Sequence, residues 1–186
     1  MKAVRTALLG VMVAVAVGAM PVAARAYEYL PLDTGWVWTY GDSAGQTTVT
    51  MEVLGDYTVR GRATRVVRET RTGAFPQFTE TYWSTNDEGD LFIHGARNLS
   101  YNIENAYEPP LLWVDAPMVL SNAWSTSALI YPDLDGEGEP QGPFDFAMTV
   151  ASDGEIEVPA GTFASFGIAI AISDPNVLLS MNGNGR

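Results

Sequence analysis

The chain has 186 residues, 10 basic against 22 acidic, and a formal charge of −12. It has no cysteine, which excludes disulfides, thiolate chemistry and the lipid-modified cysteine of a bacterial lipoprotein. So acidic a surface repels phosphate backbones and anionic lipid headgroups and argues against nucleic-acid binding.

The first segment reads as an address. Lys2 and Arg5 precede an apolar run, "TALLGVMVAVAVGAM" from Thr6 to Met20, then Pro21 and "VAARA" with small residues at Ala24 and Ala26. That order is a secretory signal peptide over 1–26, with cleavage expected between Ala26 and Tyr27. The rival reading is an uncleaved anchor, although the run is short of the about 20 apolar residues a span needs. The expected mature protein is a single β-rich domain, 27–186, periplasmic or extracellular. It carries seven arginines and no lysine. Such acidity suits solubility outside the cytoplasm.

Beyond the leader no helical period of any length occurs. Apolar and polar residues alternate with period two, broken by turn residues. "GWVWTY" (35–40) opens the fold, and "TTVTMEVLG" (47–55) places Val49, Met51 and Val53 on one face. A turn at Gly55–Asp56 leads to "YTVRGRATRVVRETR" (57–71), either a strand pair or one long bent strand, with Gly61 at a bulge or bend. In "QFTETYWSTN" (77–86), Phe78, Glu80 and Tyr82 alternate with Thr79, Thr81 and Trp83, and the "NDEGD" turn joins it to "LFIHG" (91–95). "YEPPLLWVDAP" (107–117) holds three prolines and reads as an extended connection. "LIYPDLDGEGEPQGP" (129–143) reads as a mobile surface loop. Phe144, Phe146, Met148 and Val150 then share a strand face, as do Phe166, Ile168, Ile170 and Ile172. Between them Pro159, Ala160 and Gly161 fit a three-residue hairpin loop, in which glycine takes the left-handed position. The tail, 173–186, holds one candidate short strand, "NVLLSM" (176–181).

Four blocks in order carry a resemblance. "YLPLDTGWVWTY", "NDEGDLFIHG", "PPLLWVDAPMVLSNAWSTS" and "EIEVPAGTFASFGI" are similar to segments of a group of exported bacterial proteins of unknown function. Their patterns are PL-x-x-G-x-x-W-x-Y, an acidic turn before a glycine-bounded strand, PPLLLL-x-x-PL-x-x-G-x-x-W, and V-x-V-PAGTF. Trp36, Tyr40, Trp124 and Phe163 match these patterns, while Asn122 stands where glycine is usual. The resemblance implies an all-β fold: a single curled antiparallel sheet, half-barrel or open barrel. Its shape is similar to that of periplasmic lipoprotein carriers, which hold acyl chains on a concave apolar face. Where related chains continue into a further hairpin, this one runs "SDPNVLLSMNGNGR", so the sheet is expected to lack its usual last pairing.

The chemistry-bearing residues are few. His94 is the one histidine, and pairing with Ser84 or Ser100 has no supporting motif. Asp133, Asp135, Glu137 and Glu139 alternate with glycine and offer oxygens to calcium, although the spacing is not that of an EF-hand and a solvated loop is the simpler reading. Arg60, Arg62, Arg65, Arg68 and Arg71 form the one basic cluster. It is read either as cross-strand partners of glutamates such as Glu52 and Glu80 or as an anion site. Trp36 and Trp38, two apart, face the same way on a strand. The residues single out no catalytic group and no cofactor.

Three functions follow as expectations. The first is a non-catalytic exported protein binding an apolar small molecule or envelope protein on its concave face, with Phe144, Phe146, Met148, Phe166, Ile168 and Ile170 as the wall; a closed core is the competing reading of that wall. The second is an assembly module pairing through a sheet edge. The third is a secreted hydrolase working through carboxylates.

Overall fold

A computed structural model describes residues 30–41, 46–73, 75–135, 137–158 and 161–172. The proposed signal peptide, Pro159 and Ala160 of the hairpin loop, and the tail 173–186 lie outside these residues.

The described chain is all β and has no helix. Nine strands follow one another: β1 (Val37–Gly41), β2 (Thr48–Val59), β3 (Arg62–Thr72), β4 (Gln77–Thr85), β5 (Leu91–Asn98), β6 (Ile103–Val114), β7 (Ala123–Tyr131), β8 (Gln141–Val158) and β9 (Gly161–Ile172). Each pairs antiparallel with the next, in the order β1 to β9 without a crossover. The sheet is not closed: among the described residues β1 and β9 are its two edges.

Burial shows that this sheet curls. Among the described residues no helix or second sheet covers it, yet every strand from β1 (Trp38) to β9 (Ile168, Ile170) contributes to one buried cluster. The concave face is therefore wrapped around its own side chains. A second, smaller cluster lies on the convex face, where Val59, Val66, Tyr82 and Ala106 meet Leu134.

Four expectations change. Gly55–Asp56 is not a turn, because β2 runs through it with a register shift between Val53 and Gly55; an inserted residue bends a strand without ending it. Gly61 lies in the two-residue turn between β2 and β3. Arg60 and Gly61 both have positive φ (49° and 77°), as a type I′ hairpin turn requires. The proline-rich 107–117 segment is strand as far as Val114. Its β5 pairing runs over Ile103–Ala106 and resumes at Leu111, so Pro109 and Pro110 sit where no β5 ladder bond is lost. The acidic loop is tethered: Leu134 is fully buried, and the Asp133 carboxylate accepts hydrogen bonds from the Glu137 and Gly138 amides, both at 3.0 Å. In the β8–β9 hairpin a fifth expectation changes: the register sets Val158 opposite Gly161, so Gly161 is a paired strand residue and not the third residue of the loop.

Candidate functional site

The six proposed wall residues do share a face, and that face is the core. Phe144, Phe146 and Met148 are fully buried, and Ile168 and Ile170 nearly so; Phe166 is half-buried and packs against the same cluster. Aromatic rings close over them. Trp113 stacks on Phe146 at 5.7 Å and meets Trp83 edge-on at 6.0 Å, and Tyr107 lies 5.9 Å from Phe144. Burial pushes the Tyr107 phenol well above its ordinary pKa.

The acids of the 132–140 loop do not converge. Asp133 is spent on the loop's own amides, while Asp135, Glu137 and Glu139 point to solvent. Among the described residues no three acids or histidines are grouped as a metal ion would need.

The arginines pair largely as the alternation suggests. Glu52, Arg68, Glu80, Arg97 and Glu104 stand opposite one another on five successive strands, a row of alternating sign on the convex face. Arg68 donates to Glu80 Oε1 through Nε (3.2 Å) and a terminal nitrogen (2.7 Å). Arg97 Nε donates to Glu104 at 2.7 Å. Arg62 reaches Glu108 at 3.0 Å, Arg65 pairs with Asp56, and the Arg60 guanidinium sits 3.7 Å from the centre of the Tyr131 ring. The cluster is thus neutralised locally rather than gathered as an anion site.

Ser84 and His94 do come together. His94 is the residue skipped in the β4–β5 register, between the Tyr82–Gly95 and Trp83–Ile93 pairs. This bulge brings its Nε2 to 2.7 Å from Ser84 Oγ. The ring is buried, and burial, followed by the charge of Arg62, lowers its pKa to about 4. Ser84 also lines a pocket of about 480 Å³ where β3 and β4 part beyond their Arg65–Trp83 rung, together with Pro31, Leu32, Asp33 and Asp56. At neutral pH the imidazole is uncharged and a weak base. Among the described residues no carboxylate holds its second nitrogen, as a hydrolytic triad would have it. The pair satisfies two polar groups inside the sheet.

Two features escaped the residue pattern. The first is an arm. β8 pairs with β7 only as far as Thr149, but continues to Val158 with β9 as its partner. Residues 151–155 and Glu157 on one strand, and Thr162 and Ala164 on the other, are exposed. Strand alternation was legible there; that no third strand pairs with it among the described residues was not. The second is a cluster of exposed apolar residues at the opposite end, on the β3–β4 and β5–β6 turns. Its trace in the sequence is two aromatic turns without a charge, "GAFPQF" (73–78) and "NLSYNI" (98–103).

Comparison with known proteins gives no match: no family profile, no curated protein and no solved structure is significantly similar to the chain.

Proposed function

We propose that the protein is a non-catalytic exported assembly module that pairs with a partner strand along β9 and the β8–β9 arm. The arm is the observation that carries this reading. A two-stranded ribbon standing off its sheet is marginal in water by itself, and it gains most from a third strand. β9 supplies the template: twelve residues, "GTFASFGIAIAI", with neither charge nor proline. Its described hydrogen-bonded neighbour is β8 alone. Natural edges of that length are normally broken by lysine, proline or a bulge, because a bare edge recruits another strand. A second copy of β9 has the matching chemistry, and a two-fold axis between copies makes the interface self-complementary. The burial of the proposed wall side chains supports the same reading.

Native mass spectrometry of the detergent-free protein tests the proposal. The wild type is expected as a dimer. Ala164→Lys/Ala171→Lys, both at exposed β9 positions, is expected as a folded monomer. A wild type that is monomeric and unchanged in mass by these lysines would sink the proposal. Extra mass that leaves on solvent extraction would return the weight to an apolar ligand in the core.

A further inference from the structure

The tryptophans at the start of β1 and the pocket between β3 and β4 have no place in the edge-pairing scheme. Gly35 N donates to the Val53 carbonyl at 2.8 Å, and Val53 N to the Trp36 carbonyl at 2.9 Å. Trp36 thus carries the β1–β2 register one step beyond the Val37–Glu52 pair. Trp36 and Trp38 therefore face the same way as Val53 and Met51, toward the concave side. Their rings are stacked, with centroids 6.5 Å and planes 24° apart. Trp38 packs against the core, whereas Trp36 stays 49% exposed. An indole backed by a half-buried one, with much of its own surface in water, is a fixed flat platform.

One tight turn joins this platform to the pocket. Trp36 N donates to the Asp33 carbonyl at 3.2 Å, and Asp33 lines the pocket with Pro31 and Leu32. Asp56 and Arg65, an ion pair, line it too. They stand opposite each other, and Arg65 opposite Trp83, a residue of the concave core, so this rung also faces the concave side. β3 begins at Arg62 and β4 runs to Thr85, but the ladder between them ends at Arg65–Trp83. The main-chain groups of 62–64 and 84–85 that face across the gap make no ladder bonds with one another. The volume, about 480 Å³, lies in the range of small-ligand sites, about 300–1,000 Å³.

The chemistry of these walls selects the ligand. Two carboxylates against one guanidinium leave the pocket net negative, which disfavours an anion. Arg65 disfavours a cation beside it. Charged side chains and open main-chain groups disfavour an apolar ligand, because it would desolvate them without replacing their hydrogen bonds. A neutral sugar has the complementary build. Its ring offers a flat face of C–H groups to an indole, and its hydroxyls both donate to carboxylates and accept from a guanidinium.

We propose that Trp36 and the pocket between β3 and β4 form a site for a neutral saccharide. Trp36 stacks on a pyranose ring, and Asp33, Asp56 and Arg65 hydrogen-bond to its hydroxyls. The site uses β1 to β4 and none of β9, so it stands or falls independently of the edge pairing.

Isothermal titration calorimetry of the detergent-free protein with cellotetraose, a neutral chain of β-linked glucose, tests the inference, with choline and inorganic phosphate as cationic and anionic probes. Cellotetraose is expected to bind in the millimolar range, and neither charged probe to match it. Trp36→Ala is expected to weaken cellotetraose binding about tenfold. Asp33→Ala, which leaves the indole in place, is expected to weaken it as well. Both positions are exposed, and an unchanged thermal midpoint confirms an intact fold. Three results would overturn it: no binding of cellotetraose, tighter binding of choline or phosphate than of the sugar, or sugar binding indifferent to both substitutions.

Discussion

His94 shows how one residue ties pH to the stability of the sheet. Its pKa is lowered in the fold, from an ordinary 6.5 to about 4, so between those values the unfolded chain binds the extra proton. Stability then rises with pH across this window: the contribution is complete above about 6.5 and drains away as pH falls toward 4. The size of the effect is about 3 kcal/mol. Carboxylates titrate nearby, so the measurement is the difference between proteins. Urea midpoints of the wild type are expected to fall more steeply between pH 7 and 4 than those of His94→Gln. Parallel curves would assign the histidine no such role. Glu80 supplies a second test. It is 8% exposed and takes both hydrogen bonds from Arg68. Arg68→Ala strands a shielded carboxylate and is expected to cost about 1–3 kcal/mol, less than a fully buried pair because Arg68 itself reaches solvent. Arg68→Ala/Glu80→Gln is expected to recover part of that loss in a double-mutant cycle. The Arg68–Glu80 pairing was legible from the alternation of "RVVRETR" and "QFTETYW". The meeting of Ser84 and His94 was not, because it depends on a bulge that shifts the register by one residue and leaves no mark in the hydrophobic pattern.

At the scale of elements, the acidic loop and Gly95 belong together. A Cβ on Gly95 would lie 2.6 Å from the Asn105 carbonyl oxygen and 2.9 Å from Leu134 Cδ2, so the missing side chain is the space into which the loop's leucine docks. Leu134→Ala is expected to cost about 2–4 kcal/mol and to open 132–140 to limited proteolysis while the nine strands keep their far-ultraviolet spectrum. A loop that stays resistant would show that the Asp133 turn alone holds it. The composition of this segment, acids, glycines and prolines, described its turns well and its docking poorly. One leucine among polar neighbours has no periodicity from which burial can be read. The proline pair at Pro109–Pro110 misled for a related reason: a proline excludes a ladder bond, but not a strand, wherever the neighbouring strand is already out of register.

For the whole molecule, period-two alternation over successive segments carried the fold class, because a strand that hides one face must lay that face on something. The apolar faces of Val53, Phe146 and Ile168 were visible in this way. Whether those faces enclose a cavity depends on how tightly the sheet curls, a property of twist and bulges summed over nine strands. Trp113 stacks on Phe146, and the side chains of the proposed wall lie buried. The proposed function lies at the edge of the sheet: a β9 strand without a charge and an arm that outruns its neighbour β7. Hydrogen exchange along β9 is the most direct test of the central claim. Alternate amides of 161–172 point away from β8. If the edge is a pairing surface, these amides are expected to gain protection as protein concentration rises, and to lose it in Ala164→Lys/Ala171→Lys. Fast exchange at those same amides, unchanged at every concentration, would contradict the claim.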